Sequence, residues 1–359
     1  MTETFRSRVT KFWKSFSEEE SLIREMIENK ADPNTLVSFV NNALSGVFTD
    51  PIFEMGKNNE GKFELILSPN GNRATMMQLY FWYKHAPQEL RSTWNFYYFR
   101  PAQVWGSQSL QMYDIKIESK DLQIYPASDN GRKKIDLEIH CPQMMGLNEN
   151  QRYNMLFIYL DRAVSELYTM EYVGHIDFVE KEKNAKQVSI NELKTFIDKT
   201  INENEWEKYE DPTKIYSVYK INPTEDVNWL LRQDVMVGQT SCMPVVRNYY
   251  NEENSFVEFH EKEGVHFGFL FMENSKFPED SIVACRGEIE DKILEEVEEY
   301  SIASLIGGAT GFHFSYSDFI IYDKPAFLEI VKNIVSKYNF EEAGYSDFIL
   351  DSKPVLFKS

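Results

Sequence analysis

The sequence has few cysteines, and none of them is paired at metal-binding spacing. Cys141, Cys242 and Cys285 are an odd number, lie far apart and include no C-x-x-C motif. This argues against a disulfide framework and against a thiolate zinc site, and it is typical of a reducing compartment.

Long apolar runs are also missing. No stretch stays apolar over the roughly 20 residues that a membrane-spanning helix needs. The N-terminus lacks the apolar core and the small-residue cleavage site of a secretory signal. We therefore expect a cytoplasmic protein without a membrane span.

An excess of positive charge is absent as well. The 359 residues include 57 acidic and 38 basic side chains, a formal net charge of -19. Such a field repels phosphate backbones and attracts basic proteins, so we expect no nucleic-acid partner and favour a basic protein partner. Solubility alone is the alternative explanation of the charge.

The motifs of metal and phosphate chemistry are not found either. There is no helical H-E-x-x-H, and the glycine-rich residues 307–311 lack the Lys-Ser/Thr of a phosphate-binding loop. The residues after them alternate like a strand, whereas a phosphate cradle requires the start of a helix. We interpret residues 307–311 as a glycine turn and expect no cofactor.

What the N-terminal half does contain is a dense aromatic run, Trp94-Asn95-Phe96-Tyr97-Tyr98-Phe99-Arg100-Pro101. It predicts a strand that either ends at Pro101 or lies at the edge of a sheet, because aromatic residues favour strands and proline cannot donate to a ladder. Trp94 and Arg100 are candidate binding residues. Arg100 can hold a carboxylate or phosphate through two parallel hydrogen bonds, and an internal salt bridge is the alternative.

Helical and strand-like patterns predict an α+β fold of two domains, each a mostly antiparallel sheet with packed helices. A polar, acidic stretch at residues 202–213 marks the boundary, so the predicted domains are 1–201 and 213–359. The individual predictions include helices at 149–167, 281–300 and 325–338, a strand at 256–260, and turns at 57–61 and 129–131.

The N-terminal residues predict a series of helices. Residues 5–16 place aromatic side chains at helical spacing between basic ones, a pattern that fits docking onto the protein's own core or lying on an anionic membrane. Ser17 and Glu20 form a capping box that predicts a second helix. Asp32 before Pro33 predicts the N-cap of a third.

The aromatic run supports one resemblance to known proteins. Trp94-x-Phe96-x-x-Phe99-Arg100-Pro101, preceded by Phe-Glu-Leu-Ile-Leu-Ser-Pro-Asn-Gly at residues 63–71, resembles uncharacterised bacterial cytosolic proteins with a domain of unknown function. The resemblance covers about residues 10–180. It implies no catalytic residue and no substrate.

Cys242 is the best candidate for a nucleophile, because Gly238 and Pro244 favour a loop around it. A cysteine nucleophile needs a base within hydrogen-bond reach, and His260 and His266 are the candidates. These histidines flank a predicted turn near Glu258 and Glu261, and imidazole with carboxylate can hold zinc or iron. Because no complete ligand set is visible, we expect no metal.

Two further features were weighed for binding. The acidic run at residues 288–300 is typical of a solvated helix face, and Glu295, Glu296 and Glu299 are candidate docking residues for a basic partner. The segment Tyr-Ser-Asp-Phe-Ile at 316–320 recurs at 345–349. Two copies fall short of a repeat array, so chance similarity and domain duplication both stay open.

These observations together favour a bacterial protein-interaction module without catalysis, of the immunity or antitoxin type, whose acidic surface binds a basic protein. The alternative is a cysteine-dependent hydrolase that uses Cys242 with a nearby histidine. A third hypothesis is that the N-terminal helix anchors the protein to a membrane surface. The sequence predicts no oligomeric state.

Overall fold

A computed structural model describes residues 3–103, 109–181, 184–224, 230–278 and 281–358, apart from the side chains at positions 276 and 358. Within these residues, no helix combines the length and the apolarity that crossing a membrane requires.

The described residues form ten α-helices, which are, in chain order, α1 Phe5–Glu28, α2 Pro33–Leu44, α3 Arg73–Lys84, α4 Glu149–Val164, α5 Glu166–Tyr172, α6 Ile190–Glu203, α7 Met243–Tyr250, α8 Ser255–Glu261, α9 Ile282–Glu299 and α10 Lys324–Val335. The same residues form strands β1 Ile52–Lys57, β2 Phe63–Ser68, β3 Trp94–Tyr97, β4 Ser109–Met112, β5 Ile115–Glu118, β6 Gln123–Asp129, β7 Lys134–His140, β8 Val173–Phe178, β9 Val188–Ser189, β10 Ser217–Lys220, β11 Val235–Thr240, β12 His266–Glu273, β13 Ala303–Gly311, β14 Phe314–Ile321, β15 Ala343–Asp347 and β16 Val355–Lys358.

The strands form four sheets, which have the orders β1-β2-β3, β4-β5, β8-β7-β6-β9 and β10-β11-β13-β14-β12-β15-β16. Among the described strands, only the β2–β3 and β7–β8 pairs are parallel. The predicted α+β class, with mostly antiparallel sheets packed against helices, is confirmed.

The chain divides into two compact units. One contains residues 1–51, 73–92 and 211–359, and the other contains residues 52–72 and 93–210. The crossing at 210/211 lies within the predicted boundary region. The N-terminal helices and α3, however, group with the C-terminal residues, so the units are not two consecutive halves of the sequence.

The seven-stranded sheet is the centre of the first unit. Helices α9 and α10 bury their apolar stripes against one face of it, where Ile289 and Ile293 of α9 join Phe327 of α10 and Leu270 and Phe319 of the sheet in one core cluster. The spacing of four between the isoleucines gives α9 a narrow buried stripe and leaves its other side exposed.

The four-stranded sheet is the centre of the second unit. In β7, Ile135, Leu137 and Ile139 alternate inward, as a strand with one buried face requires. They pack in one cluster with Leu156 and Tyr159 of α4. The predicted turn at 129–131 joins β6 to β7 in antiparallel register.

Helix α1 is continuous where a second helix was predicted. Instead of opening a new helix, Ser17 donates its hydroxyl hydrogen to the carbonyl of Trp13, one turn earlier, at 2.8 Å. Trp13 stacks on Trp82 at a centroid distance of 4.7 Å and donates its indole N–H to the Trp82 carbonyl. The aromatic stripe of α1 is therefore buried in the protein's own core.

Three other local predictions were wrong. Residues 256–260 belong to helix α8, in which Val257 and His260 are buried at a spacing of three. A short apolar run of this length does not distinguish a strand from a helix. The predicted helix 149–167 breaks at Ser165, which has a φ of 85° and whose hydroxyl oxygen accepts the Tyr168 N–H.

The third correction concerns residues 307–311, which lie inside β13 and form no turn. A Cβ atom on Gly307 would lie 2.2 Å from the carbonyl oxygen of Gln239 on the neighbouring strand β11. Glycine is required here because two backbones approach closely, which the sequence pattern alone did not distinguish from a turn.

The two copies of Tyr-Ser-Asp-Phe-Ile flank the same strand, β12. In β14, Asp318 pairs with Phe269, whereas in β15 the equivalent Asp347 pairs with Gly268. Because successive residues of β12 point to opposite faces, the two aspartates lie on opposite faces of the sheet. The repeated letters therefore occupy different environments.

Candidate functional site

Cys242 is the residue before the first turn of α7, makes no capping hydrogen bond with its side chain, and is fully buried. Burial raises the pKa of its thiol to about 12, which keeps the thiol protonated and weakly nucleophilic at neutral pH. In the part of the chain that the structure describes, no hydrogen bond joins its sulfur to a histidine. This geometry does not favour the hydrolase hypothesis.

The two candidate histidines occupy unlike environments. His260 is completely buried among aromatic rings, with Phe256 and Phe267 at centroid distances of 5.0 and 5.6 Å. Its Nδ1 lies 3.9 Å from an oxygen of the buried Glu263. His266 is partly exposed at the start of β12, and its Nδ1 lies 3.3 Å from Glu261. The structure thus does not assemble Cys242 and these histidines into a catalytic group.

Trp94 and Arg100 both make contacts with other residues of their own unit. Trp94 is buried in β3 and packs against Phe63 at 5.3 Å. The Arg100 guanidinium donates to Glu54 at 2.8 Å and to the Ser68 hydroxyl at 2.9 Å. The internal salt bridge, named above as the alternative for Arg100, is the arrangement that the structure contains.

A carboxyl group close to Arg100 was not anticipated from the sequence. Burial, followed by the negative charge of Glu166, raises the pKa of Asp161 to about 7. Glu166 is itself buried and accepts hydrogen bonds from Ser68 and from the Arg100 backbone N–H. A buried carboxyl group with a raised pKa is found at catalytic sites and also within structural networks.

A second buried network was also missed. Arg232 is fully buried and donates to Asp318 at 2.6 Å and to the Tyr219 hydroxyl at 2.7 Å. Tyr316 donates its hydroxyl hydrogen to Asp234. Tyr316 and Asp318 belong to the first copy of the repeated Tyr-Ser-Asp segment, and the Tyr-Ser-Asp residues of the second copy make no described hydrogen bond to this network. Because these groups are enclosed, they offer no surface to a ligand.

The outward side of α9 carries the candidate docking residues Glu295, Glu296 and Glu299. We define the acidic face as Glu288, Asp291, Glu295, Glu296 and Glu299, all of which are exposed. No described cation lies within ion-pair distance of any of the five. Lys292, between them, donates to the Tyr338 hydroxyl at 2.6 Å.

Repulsion within the acidic face opposes the helix that carries it. Asp291 and Glu295, like Glu295 and Glu299, are four residues apart, and each such like-charge pair costs an isolated helix roughly 0.2–0.5 kcal/mol. The apolar stripe on the opposite side of α9 supplies the stability that offsets this cost. The face is thus positioned by the core and remains open to cations from another molecule.

Comparison of the chain with protein-family models, with curated proteins and with solved structures found no match. The resemblance to bacterial proteins with a domain of unknown function therefore stays a prediction.

Proposed function

We propose that this protein acts by binding a basic protein through the acidic face of α9, without catalysis of its own. The observation that carries the proposal is the row of five exposed carboxylates, none of which has a described cation within ion-pair distance. Cations of a partner would relieve the repulsion between these carboxylates. The relief of this repulsion would add to the free energy of binding.

The overall charge supports the same partner class. A net charge of -19 attracts a basic protein over distances comparable to the Debye length and raises the rate of association. In this proposal the protein masks its basic partner in the manner of an immunity protein or antitoxin. The proposal also places the complex in a bacterial cytoplasm, where the three unpaired cysteines remain reduced.

The test compares three immobilised proteins: the wild type, Glu295→Gln/Glu296→Gln/Glu299→Gln, and a control, Glu18→Gln/Glu19→Gln/Glu25→Gln. The control residues are exposed glutamates of another helix, α1, so both variants lose the same net charge. Bacterial lysate is passed over each at low salt, and bound proteins are identified and their dissociation constants measured after purification.

We expect a basic protein that binds the wild type and the α1 control alike and binds the α9 variant about tenfold or more weakly, because three charged contacts are lost. Binding should also weaken as NaCl increases. Equal retention by all three proteins would show that any interaction depends on net charge alone. No retention, or salt-insensitive retention, would contradict the proposal.

A further inference from the structure

We propose that Glu261, His266 and Asp347 form a binding site for a divalent transition-metal ion, with Zn²⁺ the best match to the donors. One ligand atom from each residue, a ring nitrogen or a carboxylate oxygen, lies within 4.8 Å of the others. His266 Nδ1 and Glu261 Oε1 are 3.3 Å apart. Donors around a tetrahedral zinc ion are roughly 3.4 Å apart, so this pair already has suitable spacing.

Three separate elements bring the ligands together. Glu261 is the last residue of α8, His266 is the first of β12, and Asp347 is the last of β15. Asp347 pairs with Gly268, and residues 266 and 268 point to the same face of β12. His266 and Asp347 are therefore diagonal neighbours on one face, and Glu261 reaches the imidazole from the preceding turn.

The surrounding residues hold the Asp347 carboxylate in place. The Tyr345 hydroxyl donates to Oδ1 at 2.6 Å, and the Lys324 ammonium group donates to Oδ1 at 2.6 Å and to Oδ2 at 2.9 Å. Such outer contacts orient a ligand. Because Tyr345 and Lys324 both hold Oδ1, Oδ2 is the oxygen that would be available to an ion.

Lys324 also limits the affinity, because its ammonium group offsets one of the two carboxylate charges and repels a cation. The three side chains are 20–30% exposed, so an ion can reach them from solvent. Three protein donors leave one tetrahedral position for water. An imidazole with two carboxylates favours zinc over magnesium, which prefers oxygen donors alone.

This site departs from the sequence-based expectation of no metal. The sequence showed His266 and Glu261 close together, but the third ligand lies far along the chain in β15, and only strand pairing brings it near. His260, the other histidine considered for a metal, is enclosed among aromatic rings and takes no part.

The test is calorimetric titration of the full chain, freed of metal by chelator, with ZnCl₂ alone. We expect one Zn²⁺ per chain, and about tenfold or greater weakening in His266→Ala and in Asp347→Asn. The control is His175→Ala. His175 lies 3.2 Å from Asp177 in an exposed pair, and the metal-ligand grouping found among the described residues does not include either residue. Its loss should leave Zn²⁺ binding unchanged.

Two further measurements make the result independent of folding defects. Circular dichroism of each variant confirms the fold before titration. Lys324→Met should bind Zn²⁺ more tightly than the wild type, since a competing positive charge is removed, whereas a variant that is merely unfolded would bind less. Absence of saturable binding, or equal affinity in wild type, His266→Ala and Asp347→Asn, would overturn the proposal. So would equal weakening in His175→Ala.

Discussion

The Asp161 carboxyl group is held where its protonated form is favoured. Burial and the charge of Glu166 raise its pKa to about 7, whereas an aspartate in an unfolded chain has a pKa of about 3.9. The folded state therefore binds this proton more tightly. Protonated Asp161 therefore favours the folded state. This contribution to the free energy of unfolding is fully present below pH 4 and is lost as the pH rises to about 7.

Asp161→Asn should consequently stabilise the protein at pH 8 and change its stability less at pH 4.5. The pKa shift corresponds to roughly 4 kcal/mol, and partial exposure reduces the effect, so we expect a gain of about 1–3 kcal/mol at pH 8. Urea unfolding of both proteins across this range measures it. The exposed Asp291→Asn is the control, and a gain of the same size there, or none in Asp161→Asn, would contradict the assignment.

Single residues also show how far the sequence could predict the candidate sites. The sequence could place the candidate docking residues Glu295, Glu296 and Glu299 on one exposed helix, because the helix and its apolar stripe are local patterns. The burial of Cys242 could not be predicted, since it depends on residues that are distant in sequence. Asp347 was missed for the same reason: its approach to His266 depends on the pairing of β12 with β15.

Gly268 of strand β12 lies against the Tyr345 ring of strand β15, which leaves no room for a side chain at position 268. A Cβ atom on Gly268 would lie 2.3 Å from the Tyr345 hydroxyl oxygen and 2.4 Å from a carbon of the same ring. The ring cannot move away easily, because its hydroxyl is bonded to Asp347 and its other side packs in the core under α10. Gly268→Ala should therefore destabilise the protein by about 1–3 kcal/mol, the usual cost of overpacking.

The matched control is Gly56→Ala in strand β1, where an added Cβ atom meets nothing within 4 Å. That substitution should be neutral or slightly stabilising, because alanine restricts the unfolded chain. Chemical denaturation of both variants gives the comparison. Equal effects at the two positions would show that the loss at position 268 reflects glycine's backbone freedom and not the Tyr345 ring.

Local chemistry made some elements predictable and others not. Asp32 caps α2 through a hydrogen bond to the Thr35 N–H, as the sequence indicated. The capping box at Ser17 gave a wrong prediction of a helix start, because buried apolar residues before and after Ser17 keep α1 continuous. Tertiary packing decided this case, as it did for the short helix α8.

At the scale of the whole chain, the sequence predicted the α+β class but not the composition of the units. Composition marks a boundary where the chain is polar, as at residues 202–213. It gives no sign that residues 73–92 return to the unit that contains residues 1–51. Such a crossing depends on contacts between distant residues, whose apolar patterns look alike in either unit.

The net charge of -19 should make the stability of the free protein depend on salt, because repulsion among the excess carboxylates opposes the folded state. Raising NaCl from 20 to 300 mM shortens the screening length from roughly 20 Å to roughly 6 Å. At pH 7.5 we expect the melting temperature to rise by about 2–5 °C over this range. Near pH 5, close to the sequence pI of 4.9, the same salt should have little effect. Calorimetry at both pH values tests this, and an equal rise at both would assign the effect to general salting-out instead of the acidic exterior.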